Sequence, residues 1–266
     1  MAKTSFTIQF LGTGNAWSKP PVNYNTNALV RVDGHAWLID CGLLCPLALR
    51  DAGISQSTID GIFISHLHGD HVLGLEELLY TNYFAYARRI RLWLPNAFIR
   101  AYSDVDGSDL WDNCLRASME TTVGDDPRLT TLDDYARVSV VYPQTTFDIL
   151  GIKCEIFPTI HAGCKPSYGM ILDDRVAFTS DCRFSPTLIR SLLDRGIETI
   201  FHEVTFEPPS PNIIHTSYEE LATLPQEYAS HLVLMHYSDL SSQNDFDKAE
   251  KAGFRIARRN IIYDFL

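Results

Sequence analysis

His66-Leu67-His68-Gly69-Asp70-His71 places three imidazoles and one carboxylate within six positions. Neutral imidazole nitrogen and carboxylate oxygen are the usual donors to zinc. Such a cluster is costly to bury unless something positive holds it together. Before it, Ile59-Asp60-Gly61-Ile62-Phe63-Ile64-Ser65 is a short apolar, β-branched run that reads as a buried strand. After it, Val72, Leu73, Leu75, Leu78 and Leu79 recur at helical spacing. The cluster is therefore expected on a strand-to-helix turn, where a rigid frame aims several side chains at one point. An exposed loop that happens to be His-rich is the bland alternative.

The chain has 266 residues and is 45% hydrophobic, enough for a full core. Helical and strand patterns alternate with no linker, repeat or low-complexity tract, so one α/β domain over residues 1–266 is expected. From Met1 to Leu11 a strand is expected, because Phe6, Ile8 and Phe10 alternate. No long apolar run accompanies it, which excludes a membrane span there and argues against a signal peptide; the expected location is cytoplasmic. A formal charge of −11 disfavours nucleic acid as a partner, since phosphate binding needs a basic face. The basic run Arg88-Arg89-Ile90-Arg91 and the group Arg255, Arg258 and Arg259 read as solvated faces. Cys41, Cys45, Cys114, Cys154, Cys164 and Cys182 form no CxxC pair and are expected reduced, with Cys164 and Cys182 close to candidate ligands.

A pair of metal ions needs more than four donors, and strand ends supply them. The stretch from Cys154 to Ile160 alternates into His161. Arg175-Val176-Ala177-Phe178-Thr179-Ser180 stops at Asp181, and Leu232-Val233-Leu234-Met235 ends at His236. Sites of α/β proteins gather at the carboxyl ends of strands. Singly, each of these residues is more often structural. Together with the first cluster they favour a metal site.

HxHxDH followed by a lone His, a lone Asp and a last His resembles the metallo-β-lactamase superfamily. The likeness runs from Leu11-Gly12-Thr13-Gly14 through Leu38-Ile39-Asp40-Cys41-Gly42 to Met235-His236-Tyr237-Ser238. It implies an αββα sandwich holding two divalent metal ions. By that resemblance one ion is held by His66, His68 and His161, the other by Asp70, His71 and His236, and Asp181 bridges both together with a water or hydroxide. Zinc suits the imidazole-rich set best, and manganese or iron fits it nearly as well. Asp40 matches a position that steadies a ligand His; a strand-end Asp before a Gly turn is the equal alternative.

Two metals a few ångströms apart make hydroxide available at neutral pH and clamp the oxygens of a displacement reaction. That chemistry serves phosphodiesters, lactones, thioesters and β-lactams alike, so discrimination falls to other residues. Thr199-Ile200-Phe201-His202-Glu203-Val204-Thr205-Phe206 contains a strand carrying Glu203. Ile214-His215-Thr216-Ser217 leads into a helix with a Ser217/Glu220 capping box. The pair resembles the HEAT and HST motifs of the tRNase Z branch, with Val204 in place of Ala. There a Glu orients a His beside the scissile phosphate, as a proton donor to the leaving alkoxide. The expected catalytic set is Asp70, His215 and Glu203. His202, His35 and His231 read as structural. Pro166-Ser167-Tyr168-Gly169-Met170 is similar to a further stretch of that branch, and Tyr168 is either a packed hairpin aromatic or a contact to a base or ribose.

The likeness to tRNase Z stops at its RNA-binding arm. His161 and Asp181 are only twenty positions apart, and the surface is acidic. An Asp-rich stretch of about residues 101–144, with Trp111 and Tyr135, reads instead as a lid or a dimer contact. Relatives of this kind usually form homodimers, and Leu78-Leu79-Tyr80-Thr81-Asn82-Tyr83-Phe84 is either such a contact or core. The expected function is a dinuclear metal-dependent phosphodiesterase on a small nucleotide-type substrate: a cyclic nucleotide, a cyclic phosphate or a short oligonucleotide. The alternatives are a tRNase Z-like RNA 3′-end endonuclease, a lactone or ester hydrolase, and a non-catalytic metal-containing binding protein.

Overall fold

The computed structural model describes residues 3–99, 109–163, 165–207 and 214–266. Within them the apolar runs pair into two seven-stranded sheets. The first contains β1 (Phe6–Gly12), β2 (Asn27–Val32), β3 (His35–Ile39), β4 (Gly61–Phe63), β5 (Ile90–Pro95) and β6 (Ala136–Val141). The second contains β7 (Thr146–Ile149), β8 (Ile152–Thr159), β9 (Ser167–Leu172), β10 (Val176–Phe178), β11 (Thr199–Glu203), β12 (Leu232–Met235) and β13 (Arg255–Ile256). The last strand, β14 (Ile262–Phe265), returns to pair with β1. The sheets run β14-β1-β2-β3-β4-β5-β6 and β13-β12-β11-β10-β9-β8-β7. Strands β3 to β6 are parallel, as are β10 to β13, and the remaining pairs are antiparallel.

Period-two alternation sorts side chains between the layers. On β12, Val233 and Met235 join the cluster shared by both sheets, while Leu232 and Leu234 join the cluster beneath the second sheet's helices. Phe10 of β1 meets Phe201 of β11 with ring centroids 5.1 Å apart, which marks the seam between the sheets. Helices Pro186–Asp194 and Gln243–Lys251 cover the outer face of the second sheet through Ile189, Leu192, Phe246 and Ala249. Helices Cys45–Asp51 and Leu75–Tyr80 bury Leu49, Leu75, Leu78 and Leu79 with the first. The layering is the expected αββα sandwich. Among the described residues, no helix is long and apolar enough to cross a membrane.

Two expectations need correction. The run after His71 is not one helix: Gly69–Val72 and Leu75–Tyr80 are separate, and Leu73 is 46% exposed. The break follows from packing. Gly74 N donates to Cys41 O at 3.0 Å, and a Cβ on Gly74 would lie 2.1 Å from Gly42 O, so the chain turns to fit against the loop after β3. The stretch of about 101–144, expected as a lid or a dimer contact, is in part core where it is described. Residues 101–108 lie outside the described residues, but Trp111 and Tyr135 are buried in the core and β6 is a strand of the first sheet. The Leu78–Phe84 stretch divides. Leu78 and Leu79 are core, Tyr80 and Tyr83 pack against Tyr135, and Phe84 is 61% exposed.

Candidate metal centre

The layering brings strand ends from both sheets to one edge. Asp40 follows β3, His66 follows β4, His161 follows β8, Asp181 follows β10, Glu203 ends β11 and His236 follows β12. Backbone strain collects here: Asp40, Ser180 and His236 have φ of 65°, 56° and 62°, the left-handed region that β-carbon residues seldom occupy. Gly42 lies so close to Asp70 that an added Cβ would sit 1.8 Å from Asp70 O, so only glycine lets the helix carrying Asp70 and His71 approach. Ser167 and Tyr168 stitch the loops together. Ser167 Oγ donates to Asp181 O at 3.2 Å and Tyr168 N donates to Ser65 O at 3.1 Å. Tyr168 itself is buried against Phe98, the packed reading.

The seven candidate donors form two groups that share Asp181. His66, His68, His161 and Asp181 make one; Asp70, His71, Asp181 and His236 make the other. In each, the donor atoms lie within 4.8 Å of one another. His68 Nδ1 is 3.1 Å from His66 Nε2 and 3.0 Å from His161 Nε2. Asp181 Oδ2 stands 3.8 Å from His66 Nε2 and 3.7 Å from His161 Nε2. In the other group, Asp181 Oδ1 is 3.4 Å from His71 Nε2 and Oδ2 is 3.2 Å from His236 Nε2. Asp70 Oδ2 is 3.5 Å and 3.8 Å from the same two nitrogens.

The hydrogen bonds on the far side of each imidazole decide which nitrogen carries the proton. His71 Nδ1 faces the Asp40 carboxylate at 2.8 Å and His161 Nδ1 faces Ile214 O at 3.0 Å, so both must donate. His236 Nδ1 meets Thr26 Oγ1 at 3.3 Å, and that hydroxyl already gives its hydrogen to Gly14 O. His66 Nδ1 meets Ser65 Oγ and Ser180 Oγ. Ser65 gives its hydrogen to Asp40 and Ser180 gives its own to Ser65. In its neutral form each of the four rings therefore aims an Nε2 lone pair inward, toward the Asp181 carboxylate.

Lone pairs opposed to buried carboxylates repel, and His71 Nε2 is a buried atom with no hydrogen-bond partner among the described residues. Only positive charge between them relieves this, and a donor set of five imidazoles and two carboxylates is the chemistry of a transition-metal pair. The residues fit the metals that the sequence implies. The electrostatics show the same demand for positive charge at this point. Burial opposes charge on His71, yet Asp181, Asp70 and Asp40 hold its pKa well above the ordinary value. Burial likewise works against ionised Asp181, but His236 and His71 hold it well below the usual carboxylate range. Burial leaves His161 at about 4 and drives His66 well down, so both stay neutral.

Beside this cluster, His215 Nδ1 is 2.5 Å from Glu203 Oε2 and 3.9 Å from Asp181 Oδ2. The other Glu203 oxygen accepts the Cys182 backbone N–H. With both oxygens accepting, Glu203 is a carboxylate although burial raises its pKa. Burial also opposes charge on His215, but Glu203 and Asp181 raise its pKa to about 9. Glu203 shares the inner face of β11 with Phe201, whereas His202 shares the outer face with Ile200 and lies near Cys182 Sγ at 3.7 Å. His35 and His231 make their contacts away from this edge, with Asp60 and Glu198 O. Arg88 binds Asp60 and backbone carbonyls, a structural staple. Cys41, Cys45, Cys114, Cys154 and Cys182 are free; Cys164 lies outside the described residues.

The donors open onto a cavity of about 490 Å³, also lined by His215, Thr205, Glu207 and the Asn15–Trp17 loop. Sequence reasoning missed that loop, along with Thr26, Ser65 and Ser180. Hydroxyl residues are common, and nothing local marks one as the acceptor that fixes a distant imidazole.

A family model described as Anti-Pycsar protein Apyc1 matches residues 6–262. An Anti-Pycsar protein Apyc1 from Saccharibacillus brassicae is 39% identical over 238 residues, covering 89% of this chain and 91% of that one. Among solved structures, the metallo-β-lactamase fold protein YhfI from Bacillus subtilis superposes with a TM-score of 0.74 at 14% identity, covering 98% of this chain and 100% of that one. The short form of human tRNase Z gives a TM-score of 0.65 at 21% identity, covering 97% and 98%. The fold is that of the metallo-β-lactamases.

Proposed function

The chain belongs to the family of Anti-Pycsar protein Apyc1, and from that membership and the site's geometry we propose a dinuclear metal-dependent phosphodiesterase acting on a small cyclic nucleotide. The family name is consistent with breakdown of a cyclic nucleotide. The observation that carries the reading is the Glu203–His215 pair at 2.5 Å, set against Asp181 at the mouth of the donor cluster. A leaving alkoxide needs a proton, and a histidine held as a cation beside the reacting phosphate supplies one.

In this reading His66, His68 and His161 hold one ion, Asp70, His71 and His236 the other, and Asp181 reaches both. Divalent cations there would supply Lewis acidity toward the phosphoryl group and a water acidic enough to ionise at neutral pH. Zinc is favoured by the imidazole count, with manganese or iron close behind. The protein's own residues do the rest. Glu203 holds His215 through Nδ1, leaving Nε2–H free to meet the leaving oxygen as the ring opens. Asp40 fixes His71, and Ser65 and Thr26 fix His66 and His236.

The RNA-processing reading is not favoured. The net charge is −11, and the stretch between His161 and Asp181 carries β9 and β10 of the second sheet rather than a basic arm. Lactone and ester hydrolysis has less use for a cationic acid at this position.

The deciding experiment incubates zinc- or manganese-loaded protein with 3′,5′-cyclic nucleotides and follows the linear monophosphate by chromatography. Turnover is expected. No cleavage of cyclic nucleotides or of bis(p-nitrophenyl) phosphate would end the proposal. The Asp40→Ala variant is expected to weaken metal binding by roughly 10- to 100-fold, because His71 loses the partner that fixes its tautomer. Competition with a chromogenic chelator measures this, and unchanged affinity would remove Asp40 from the site.

A further inference from the structure

The cavity before the donor cluster is lined mainly by polar side chains, and its apolar contributors are Ala16, Trp17 and Ile214. Of four tryptophans, Trp37, Trp93 and Trp111 are 0%, 4% and 3% exposed, whereas Trp17 is 77% exposed. A lone exposed aromatic needs no explanation by itself. The loop that carries this one is held in place. Trp17 N donates to Asn15 Oδ1 at 3.0 Å, and Asn15 O accepts from Asn25 Nδ2 at 3.0 Å and from Ser18 N at 3.2 Å. Just after Trp17 in the chain, Ser18 Oγ and Lys19 N donate to the two oxygens of Asp239 at 3.1 Å and 2.6 Å. Asp239 lies three residues beyond His236, so the loop bearing the indole is tied to the segment bearing a candidate ligand.

A flat, largely solvent-facing ring on an anchored loop at the rim of a phosphodiester site matches what a nucleobase needs. Stacking buries two aromatic faces, at a lower entropic cost when the loop that bears one of them is already anchored. A cavity of about 490 Å³ lies in the range of small-molecule sites. We propose that Trp17 is the stacking platform for the substrate's base, and that Asp239 is the positioning residue that holds the platform in register with the reacting centre. This rests on the phosphodiesterase reading above.

The test compares adenosine 3′,5′-cyclic phosphate with its abasic ribose 3′,5′-cyclic phosphate on the metal-loaded full chain. Trp17→Ala is expected to lower the ratio of kcat/KM between the two esters by roughly tenfold or more, through KM. Trp17→Phe should restore most of that ratio, and Asp239→Ala should lower it in the same sense by a smaller factor. A second readout needs no turnover. Adenosine 5′-monophosphate should quench the intrinsic fluorescence of the native protein, and Trp17→Ala should abolish the quench, because the remaining tryptophans are buried. An unchanged ratio, a quench that persists in Trp17→Ala, or no quench in the native protein overturns the platform. If the native protein cleaves neither ester, the phosphodiesterase reading fails on its own, and the fluorescence arm alone decides whether Trp17 binds a base.

Discussion

Asp181→Ala is expected to abolish metal pairing and to reduce phosphodiester turnover on the order of a thousandfold or more, as when one member of a set that acts as a unit is removed. Its carboxylate lies within 3.9 Å of donor nitrogens from both clusters, reaching His66 and His161 on one side and His71 and His236 on the other. Removing it leaves five inward imidazoles with Asp70 as the remaining carboxylate among the seven donors. Elemental analysis of the native protein should give about two ions per chain, and the variant should fall to one or fewer. Asp181→Asn keeps the shape and removes the charge, so it separates the electrostatic loss from any packing loss. Near-native metal content and turnover in both variants would mean that Asp181 does not join the two groups, and the dinuclear proposal would fail with it.

The convergence of the seven candidate donors could be read from sequence because the chemistry restricts which residues can serve, and the Glu203–His215 pairing because it resembles the HEAT and HST motifs. Few side chains donate to zinc, and strand runs that stop at His161, Asp181 and His236 place them at one sheet edge. Period-two alternation was equally informative on β11, where it separated Glu203 from His202. Other features were hidden for physical reasons. Leu73 kept helical spacing, yet the close contact of Gly74 with Gly42 breaks the helix, a tertiary constraint that no local pattern encodes. Strand β6 alternates in sequence, as Ala136-Arg137-Val138-Ser139-Val140, but the Asp-rich stretch around it reads as a lid or a dimer contact, and it lies at the half-exposed edge of the first sheet. Ser65, Ser180 and Thr26 fix imidazole tautomers through the direction of a hydroxyl hydrogen, which depends on partners far along the chain. Trp17 sits in a polar loop rich in Asn and Pro, where no periodicity draws attention to it.

His215→Ala is expected to slow turnover of a cyclic nucleotide by roughly a hundredfold or more, within the range of a lost general acid. Metal content should stay native, since His215 already shares a proton with Glu203 through Nδ1. The pH profile carries the sharper test. His215 is raised to about 9, burial being outweighed by Glu203 and Asp181, so the acid form dominates at neutral pH. As pH rises through that value the donor loses its proton and the rate should fall, giving an alkaline limb. Two cations seated nearby would favour the neutral ring and move this limb toward lower pH, never higher. Glu203→Gln removes the charge that holds the proton, so the limb should shift down further while part of the rate survives. In His215→Ala the limb should vanish, leaving a slow and flatter profile. For an activated aryl ester such as bis(p-nitrophenyl) phosphate, whose leaving group departs without a proton, the variant should lose much less than it does for a ribose alkoxide. Equal losses on the two leaving groups would mean that His215 stabilises charge or shape rather than delivering the proton.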